Sequence, residues 1–482
     1  MEDALIMYDV VIIGCGVVGA AAAYELARYD LKVAVLEAEN DVATGSSKAN
    51  SAILHAGYDP RPGSLMAKLN VEGNRLAFEI AHRLNVPVER CGSLVVAFNE
   101  KDKEHLQELY RRGIENGVPD LSIISGEQAR ELEPNLDPGV KGALLAESAG
   151  IISPWDYTLA MAEVAVKNGV ELFLNTRVTS IEKDEVFHIR SSKGKEFETR
   201  YVINAAGVNS DIVAEMVGER EFSVRPVGGE YFLLDKSEGS RVSRVIFQCP
   251  NELGKGVLVS RTVHGNLIVG PDAVNSVRND KGVTAEGLNY VRRTALRSVP
   301  SIQFRDNIRN FAGIRANTEF DEFCIGESRS AKGFLNLAGI KSPGLTAAAA
   351  IGVYARELLD GMGLELRKKD EFDDTRPVIR FKELPDEEKN RLIKEDPAYG
   401  RVICRCETVT EAEIVAALHS VIPASSINGV KRRCSAGMGR CQGGFCSPRV
   451  LRIIARELGI DETEVLEEGE GSNVLYSRLK EV

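Results

Sequence analysis

The chain has 482 residues, and its 60 lysines and arginines against 71 aspartates and glutamates give a net charge of −11 at pH 7. This length supports several domains and excludes a small disulfide-stapled protein, while the acidic balance disfavours nucleic-acid binding. The longest uncharged stretches, residues 10–24 and 342–355, fall short of the roughly 18 apolar residues that a membrane span needs. Because the N-terminus carries acids where a secretory signal carries lysine or arginine, the sequence predicts a cytoplasmic protein.

The first 37 residues have the pattern of a compact βαβ unit. An apolar run over residues 8–13 is followed by a glycine-rich turn, an alanine-rich run to about residue 28, and a second apolar run that ends at Glu37. The turn carries Gly14, Gly16 and Gly19, a spacing that allows a tight turn and close backbone approach to a pyrophosphate at the helix N-terminus. Glu37 is spaced to accept a hydrogen bond from a ribose hydroxyl, so the unit is predicted to bind a dinucleotide.

Three later segments, residues 172–178, 201–207 and 334–339, are predicted as further strands of the same sheet, with long insertions between them. Alternating apolar residues in the insertions predict a separate β-rich domain, and residues 359–398 are charged enough for a linker or a wrapping segment. The fold class is therefore predicted to be α/β in the first domain and α+β overall. The predicted domains are a discontinuous dinucleotide-binding domain (1–85, 151–219 and 313–358), a β-rich substrate domain (86–150 and 220–312), the linker (359–398) and a small cysteine module (399–482).

Five of the nine cysteines lie close together in the last segment. Cys404 and Cys406 form one close pair and Cys441 and Cys446 another, and four such thiolates can hold either Zn²⁺ or a 2Fe-2S cluster. The fifth, Cys434, is predicted to be a small buried residue and not a ligand. The basic residues of this run are expected to surround the thiolate cluster and raise its reduction potential, and they can at the same time form a solvated, partner-facing surface; they are Lys431, Arg432, Arg433, Arg440 and Arg449.

Residues 8–355 resemble the FAD-dependent oxidoreductases of the D-amino-acid oxidase and glycerol-3-phosphate dehydrogenase type. The resemblance rests on the glycine turn with Glu37 and on four further segments: residues 46–57, 204–207, 312–315 and 339–346. It implies that the first βαβ unit binds FAD, with the ribityl and isoalloxazine parts along the second and last segments and the adenine near residue 178. The residues predicted to bind FAD are Gly14, Gly16, Gly19, Glu37, Ser46, Ser47, Ser51, Val178, Ala206, Gly207, Gly313, Gly339, Gly344, Leu345 and Thr346.

Within that family the chain most resembles the large subunits of anaerobic glycerol-3-phosphate dehydrogenases, followed by L-2-hydroxyglutarate oxidoreductases. In the dehydrogenases an arginine in the serine-rich segment precedes the histidine, but the nearest residues here are Lys48 and Ala49, which leaves phosphate recognition open. The cysteine module is similar to the bacterioferritin-associated-ferredoxin-like module, which implies that Cys404, Cys406, Cys441 and Cys446 bind 2Fe-2S, with zinc as the alternative.

Four residues are predicted to act on the substrate. His55 and His264 are the candidate general bases, because a neutral imidazole suits proton removal near pH 7. Arg315 and Lys341 lie in the flavin-domain motifs and are expected to anchor an anionic substrate or offset charge on reduced flavin. Arg261 is a second candidate for anion binding.

The resemblance predicts an FAD-dependent dehydrogenase that oxidises a small anionic alcohol, foremost sn-glycerol 3-phosphate to dihydroxyacetone phosphate. Electrons would pass from flavin through 2Fe-2S to a partner redox protein or subunit, either a flavoprotein or quinone-linked. The alternatives are oxidation of L-2-hydroxyglutarate, another 2-hydroxy acid, or an amino acid such as proline or glycine, and a non-catalytic electron-transfer subunit. The acceptor, the oligomeric state and any membrane contact through another subunit stay open.

Overall fold

The computed structural model describes residues 6–218, 220–250 and 256–478. The β-strands in chain order are β1 (Met7–Ile13), β2 (Val33–Leu36), β3 (Ile53–Leu54), β4 (Val88–Glu89), β5 (Ser93–Ala97), β6 (Leu121–Ser125), β7 (Gly142–Ala146), β8 (Gly150–Ile152), β9 (Glu171–Phe173), β10 (Val178–Lys183), β11 (Phe187–Ser191), β12 (Glu196–Asn204), β13 (Val224–Leu234), β14 (Val245–Gln248), β15 (Leu258–Arg261), β16 (Leu267–Gly270), β17 (Val274–Asn275), β18 (Asn307–Thr318), β19 (Cys324–Glu327), β20 (Phe334–Ala338), β21 (Val402–Cys404) and β22 (Val409–Thr410). The α-helices are α1 (Val17–Leu26), α2 (Leu65–Arg83), α3 (Glu100–Glu115), α4 (Gly126–Leu132), α5 (Pro154–Lys167), α6 (Ser210–Glu215), α7 (Ala285–Ser298), α8 (Gly344–Gly361), α9 (Asp386–Glu395), α10 (Glu411–Leu418), α11 (Ile427–Cys434) and α12 (Ser447–Leu458).

Among the described residues, the first sheet is built around five parallel strands, the outermost of which, β9, pairs with β2. Strand β1 pairs in parallel with β2 on one side and β12 on the other, and β12 pairs in parallel with β20. Strands buried on both faces carry near-continuous apolar runs, as β1 and β2 do, and helices α1, α5 and α8 cover one face. The predicted strand over residues 172–178 is wrong in its extent: β9 ends at Phe173, Asn175 turns the chain with a φ of +52°, and β10 begins at Val178.

The second sheet has nine strands drawn from both insertions. Its order is β17-β13-β16-β15-β14-β5-β7-β6, and β18 pairs with β13 along its whole length. The parallel pairing of β14 with β5 joins the two insertions into one sheet. Strand β18 continues across residue 313, where the sequence places a domain boundary, so one strand serves both the second sheet and the flavin-domain motif.

Residues 359–398 wrap around the first domain. The extended part carries Arg376, which is buried and forms ion pairs with Asp156 at 2.8 Å and Glu163 at 2.6 Å on α5. Asp374 accepts hydrogen bonds from Tyr24 at 2.6 Å and Arg83 at 2.8 Å. Buried charge pairs of this kind hold only if their geometry is kept, so this segment is a fixed strap across α1, α2 and α5.

The cysteine module is a small domain with its own core, formed by β21, β22 and helices α10, α11 and α12. Thr410 caps α10 in a capping box with Glu413, and Gly459 ends α12 in the left-handed conformation with a φ of +65°. Among the described residues, no helix combines the length and the apolar character that a bilayer crossing requires.

Candidate functional site: a cavity shared by two cofactor domains

The glycine turn after β1 packs backbone against backbone. Gly14 has a φ of +98°, and a side chain there would come within 2.6 Å of the Ala205 carbonyl oxygen. A side chain at Gly19 would run into the Gly14 carbonyl, so this glycine lets α1 pack directly on the turn. The amide of Val17 in the first turn of α1 donates to the Ser47 hydroxyl at 2.8 Å. The positive end of α1 therefore lies at the cavity, where a pyrophosphate fits.

A cavity of about 1430 Å³ runs from this turn through the molecule. At its near end Glu37 is buried, and its carboxylate accepts from the amides of Cys15 at 2.7 Å and Glu39 at 3.0 Å. Burial raises the pKa of Glu37, although these amides offset part of that effect. Each carboxylate oxygen keeps a lone pair that can accept from a ribose hydroxyl, and Val178, Ala206 and Gly207 line the same end of the cavity.

The serine segment follows the middle of the cavity and is fastened to the second sheet. The Ser46 hydroxyl donates to the Ile314 carbonyl at 2.5 Å, and Ser51 shares a hydrogen bond of 3.0 Å with the Tyr231 hydroxyl. A side chain at Gly313 would collide with the Ala49 carbonyl, so this glycine permits β18 to lie directly against the serine segment. The two predicted flavin motifs thus form one wall of the cavity.

At the far end, His55 meets the turn that precedes α8. The Thr346 hydroxyl accepts from the His55 amide at 2.9 Å and donates to the Ile53 carbonyl at 3.2 Å. The His55 ring is stacked on Phe247, with 5.7 Å between ring centroids, and its Nε2 lies 3.4 Å from the Ser342 hydroxyl. These contacts orient the half-buried imidazole from several sides. Three of the predicted flavin-binding residues lie nearby in the chain: Gly339 follows β20, and Gly344 and Leu345 begin α8.

His264 lines the same cavity in a different setting. Its ring stacks on Trp155 with 5.6 Å between centroids, and its Nε2 is buried without a hydrogen-bond partner among the described residues. Burial, with a smaller contribution from Lys382, lowers the pKa of His264 to about 4. His264 is therefore neutral at pH 7 and is a weaker base than an ordinary histidine.

The three predicted anion-binding residues differ in how far their charges are already engaged. Arg315 lines the cavity, and within the part of the chain that the structure describes its Nη1 has one long hydrogen bond, to the Asp272 carbonyl at 3.5 Å. Lys341 also lines the cavity and pairs with the fully exposed Asp321 at 3.1 Å. Arg261 forms an ion pair with Glu89, so its charge is compensated within the protein.

The four predicted ligand cysteines lie as two pairs. The sulfurs of Cys406 and Cys441 are 3.6 Å apart, and a hydrogen bond from Cys446 lowers the pKa of Cys404 to about 6 while the pKa of Cys446 is raised. Cys434 instead donates to the Val430 carbonyl at 3.3 Å, and burial raises its pKa to about 12. No group of three or more ligand side chains among the described residues forms a closed metal cage, but a donor set of two close thiol pairs fits a 2Fe-2S cluster.

The expectation that Arg432 and Arg433 surround the thiolates is wrong. Both are buried and point at Asp41 in the loop after β2: Arg433 bonds both carboxylate oxygens at 2.8 and 2.9 Å, and Arg432 bonds one at 2.8 Å. Burial alone would raise the pKa of Asp41, but the two guanidinium groups outweigh it and hold the pKa below its usual value. Arg432 also pairs with Glu468 at 2.6 Å, and Glu468 pairs with Lys48 at 2.8 Å. These contacts bind the cysteine module to the first domain because a buried charge cannot easily lose its partner.

Several site residues have no signal in the sequence that would single them out. Trp155, Phe247 and Tyr231 come from three separate elements and meet only in the folded cavity. Glu407, buried beside Cys406, accepts from Lys236 at 2.8 Å and from Lys382 at 3.3 Å, and so ties the module to the second sheet and to the strap. From the cysteine module, the cavity is lined by Glu407, Asn428, Lys431, Arg432, Ser435, Met438, Gln442 and Glu468.

Comparisons with known proteins agree with this architecture. Residues 9–358 match the family described as FAD-dependent oxidoreductase, and residues 402–456 match the BFD-like [2Fe-2S] binding domain. The chain is 49% identical over 98% of its length to a glycerol 3-phosphate dehydrogenase from Caloramator mitchellensis, of which 99% is covered. It is 36% identical to a glycerol 3-phosphate oxidase from Mycoplasma genitalium, covering 75% of this chain and 96% of that one.

A solved structure, the dithionite-reduced L-α-glycerophosphate oxidase from Mycoplasma pneumoniae with FAD bound, superposes with a TM-score of 0.74 at 32% identity. The superposition covers 78% of this chain and 100% of the oxidase chain. The protein therefore belongs to the DAO family of FAD-dependent oxidoreductases, with a BFD-like [2Fe-2S] binding domain joined to it.

Proposed function

We propose that this enzyme oxidises sn-glycerol 3-phosphate to dihydroxyacetone phosphate and sends the electrons through the 2Fe-2S cluster to a protein acceptor. The observation that carries the proposal is a cavity walled both by the flavin motifs and by the cysteine module, which supports neighbouring sites for the two cofactors. The near full-length likeness to the Caloramator glycerol 3-phosphate dehydrogenase supports this choice of substrate. The Mycoplasma oxidase match spans only 75% of this chain, which is consistent with a module that makes the difference between dehydrogenase and oxidase.

When bound, FAD would supply a hydride acceptor for the substrate carbon, and 2Fe-2S would supply a one-electron carrier. Among the chain's own residues, we assign His55 as the base that takes the hydroxyl proton at Nε2. The amide groups of Asn70 and Asn74 donate to the His55 carbonyl at 2.8 and 3.1 Å, and Thr346 accepts from its amide, so the backbone at this position is fixed. His264 is assigned to the cavity wall because its lowered pKa makes it a poor proton acceptor.

The substrate phosphate is proposed to bind Arg315 and Lys341. A guanidinium can grip two phosphate oxygens at once, whereas an ammonium acts as a point charge. Arg315 has only a weak contact with a carbonyl, and the partner of Lys341 is a carboxylate in full contact with water, so both cations can turn to an anion at low cost. Such an arrangement would supply the positive charge that Ala49 cannot.

The decisive test is an anaerobic visible spectrum of purified protein before and after addition of glycerol 3-phosphate, with iron and zinc assayed on the same sample. Flavin bands that bleach on glycerol 3-phosphate, together with iron, are expected. If only L-2-hydroxyglutarate or an amino acid bleached the flavin bands, that compound would be the substrate and glycerol 3-phosphate would not. Zinc without iron would remove the electron path, and protein that binds no flavin would contradict the proposal altogether.

The base is tested by comparing His55→Asn with His264→Asn as its matched control. Loss of a general base lowers the rate of flavin reduction by about 10²–10⁴-fold, which we expect for His55→Asn only. Rapid mixing with saturating substrate measures this rate directly. An undiminished rate in His55→Asn, or an equal loss in His264→Asn, would contradict the assignment.

A further inference from the structure

The thiol pair of Cys406 and Cys441 lies at the surface of the cysteine module. Cys406 is exposed, and the neighbouring Phe445 has 85% of its surface in contact with water. Burial of a large exposed aromatic ring by a partner protein is favourable, and such rings are common anchors of protein interfaces. The exposed ring therefore marks the route by which electrons can leave the module.

The charge around this ring is opposite to that of the whole chain. Residues 402–452 contain seven lysines and arginines against three acids, in a chain whose net charge is −11. All three carboxylates, those of Glu407, Glu411 and Glu413, are buried and already accept hydrogen bonds within the protein. What the module presents to solvent here is thus predominantly positive charge.

The exposed arginines of this surface are weakly held. Arg405 and Arg449 form no ion pair with any residue that the structure describes, and both are exposed. Arg452 lies 3.8 Å from Glu462, and Arg440 lies 3.6 Å from Asp306 and 3.9 Å from Asp235, all beyond hydrogen-bond distance. Cations without close partners generate a field in solution that attracts negatively charged molecules. We call this surface the outer face; it consists of Arg405, Cys406, Arg440, Phe445, Arg449 and Arg452.

We propose that the outer face is the docking site of a small acidic one-electron-transfer protein, which is the acceptor of the enzyme. This rests on the proposed function and adds the class of acceptor and the place where it binds. Oxidation of one alcohol releases two electrons and two protons. Each electron leaves the reduced cluster for one oxidised partner molecule, so two partner molecules are reduced per substrate, and the two protons pass to solvent.

A membrane surface would also attract arginines, but the helix that carries Arg449 and Arg452 has no free apolar face to insert into one. The apolar residues of α12, such as Val450, Leu451 and Ile454, are buried in the core of the module. Interfacial helices instead keep an apolar face free for the acyl chains. An exposed phenylalanine in a stretch of chain whose exposed charges are arginines fits an acidic protein better than a lipid bilayer.

The test uses the full-length holoenzyme and a reduced plant-type ferredoxin as an acidic one-electron probe. The low potential of that probe makes electron transfer into the enzyme's cluster downhill, and stopped-flow absorbance follows its rate. At low salt we expect the double variant Arg449→Glu, Arg452→Glu to slow transfer about tenfold or more, and Phe445→Ala to slow it at every salt concentration. Lys193→Glu, a reversal of an exposed charge in the hairpin between β11 and β12, is the matched control and should leave the rate unchanged.

Two outcomes would overturn the proposal: a rate that does not fall as salt is raised, or an unchanged rate in the double variant. Tight binding of the enzyme to vesicles of phosphatidylcholine with phosphatidylserine, lost in the double variant, would favour the membrane instead. Because the ferredoxin supplies the electrons, the result does not depend on the substrate. Bleaching of flavin by glycerol 3-phosphate, measured on the same samples, shows separately whether the proposed function holds.

Discussion

The two faces of the cysteine module use arginine in opposite ways. On the inner face, formed by Arg432, Arg433 and Glu468, the guanidinium groups are buried against Asp41 of the first domain. On the outer face, Arg405 and Arg449 stand in solvent and make no ion pair with any described residue. The same side chain in one small domain thus fixes geometry on one side and creates a field on the other.

Burial decides between these two roles. A charge removed from water must keep its partner, so the inner face holds the module in one position against the FAD cavity. A charge in water contributes little to stability but acts over about a Debye length, roughly 8–10 Å at physiological salt. We therefore expect changes on the inner face to alter docking and stability, and changes on the outer face to alter association rates.

The largest effect is expected at the predicted cluster ligands. Cys441→Ala should abolish the 2Fe-2S absorbance and the bound iron, because the cluster loses one of its four ligands. Cys434→Ala is the matched control, since that thiol donates to the Val430 carbonyl and should leave cluster content unchanged. Iron assay and visible spectra of both variants measure this. Loss of iron in Cys434→Ala would show that the ligand set is different.

On the inner face, Asp41→Ala leaves two buried guanidinium groups without their common partner. We expect this to reduce the stability of the docked module by about 3–5 kcal/mol. Hydrogen exchange of the α11 amides, measured by mass spectrometry, reports that loss. Asp386→Ala, at an exposed carboxylate on α9, is the control and should change the stability by less than about 0.5 kcal/mol. Equal protection in both variants would show that the inner face does not hold the module.

The inner face should also weaken in acid. Because the folded pKa of Asp41 is lowered, its contribution is fully present above the unfolded pKa of about 3.9 and is lost as pH falls through the folded value. The stability difference between wild type and Asp41→Asn is therefore expected to be constant above about pH 5 and to shrink below about pH 4. Hydrogen exchange of α11 in both proteins, corrected for the intrinsic pH dependence of exchange, tests this. A difference that grows in acid would contradict the ion-pair assignment.

The smallest effect on stability is expected on the outer face. Arg449→Gln removes a charge that has no close partner among the described residues. We therefore expect the free energy of unfolding to change by less than about 0.5 kcal/mol, and the thermal midpoint to shift correspondingly little. Calorimetry on wild type and variant gives the comparison. A large drop would mean that Arg449 has a structural role and that the two faces do not differ as described.

Local patterns were enough to predict the parts of the site that depend on neighbouring residues. The turn at Gly14 and the parallel pairing of β1 with β2 follow from short-range sterics and apolar runs, and the structure has both. The single strand expected over residues 172–178 was wrong, because the chain turns at Asn175, and asparagine adopts a positive φ more readily than most residues. Similarly, nothing in residues 307–318 reveals that β18 continues from the second sheet into the flavin motif.

By itself, the sequence determined the chemistry that the chain can hold: glycines at the spacing of a dinucleotide-binding turn, and four cysteines in two close pairs. It could not determine which charges meet, because Asp41 and Arg433 are 392 positions apart and each alone looks like an ordinary surface residue. Only the tertiary structure brings them together, and with them the cavity wall shared by the two cofactor domains. The physical reason is that a backbone turn depends on a few adjacent residues, whereas a buried ion pair depends on which surfaces lose contact with water together.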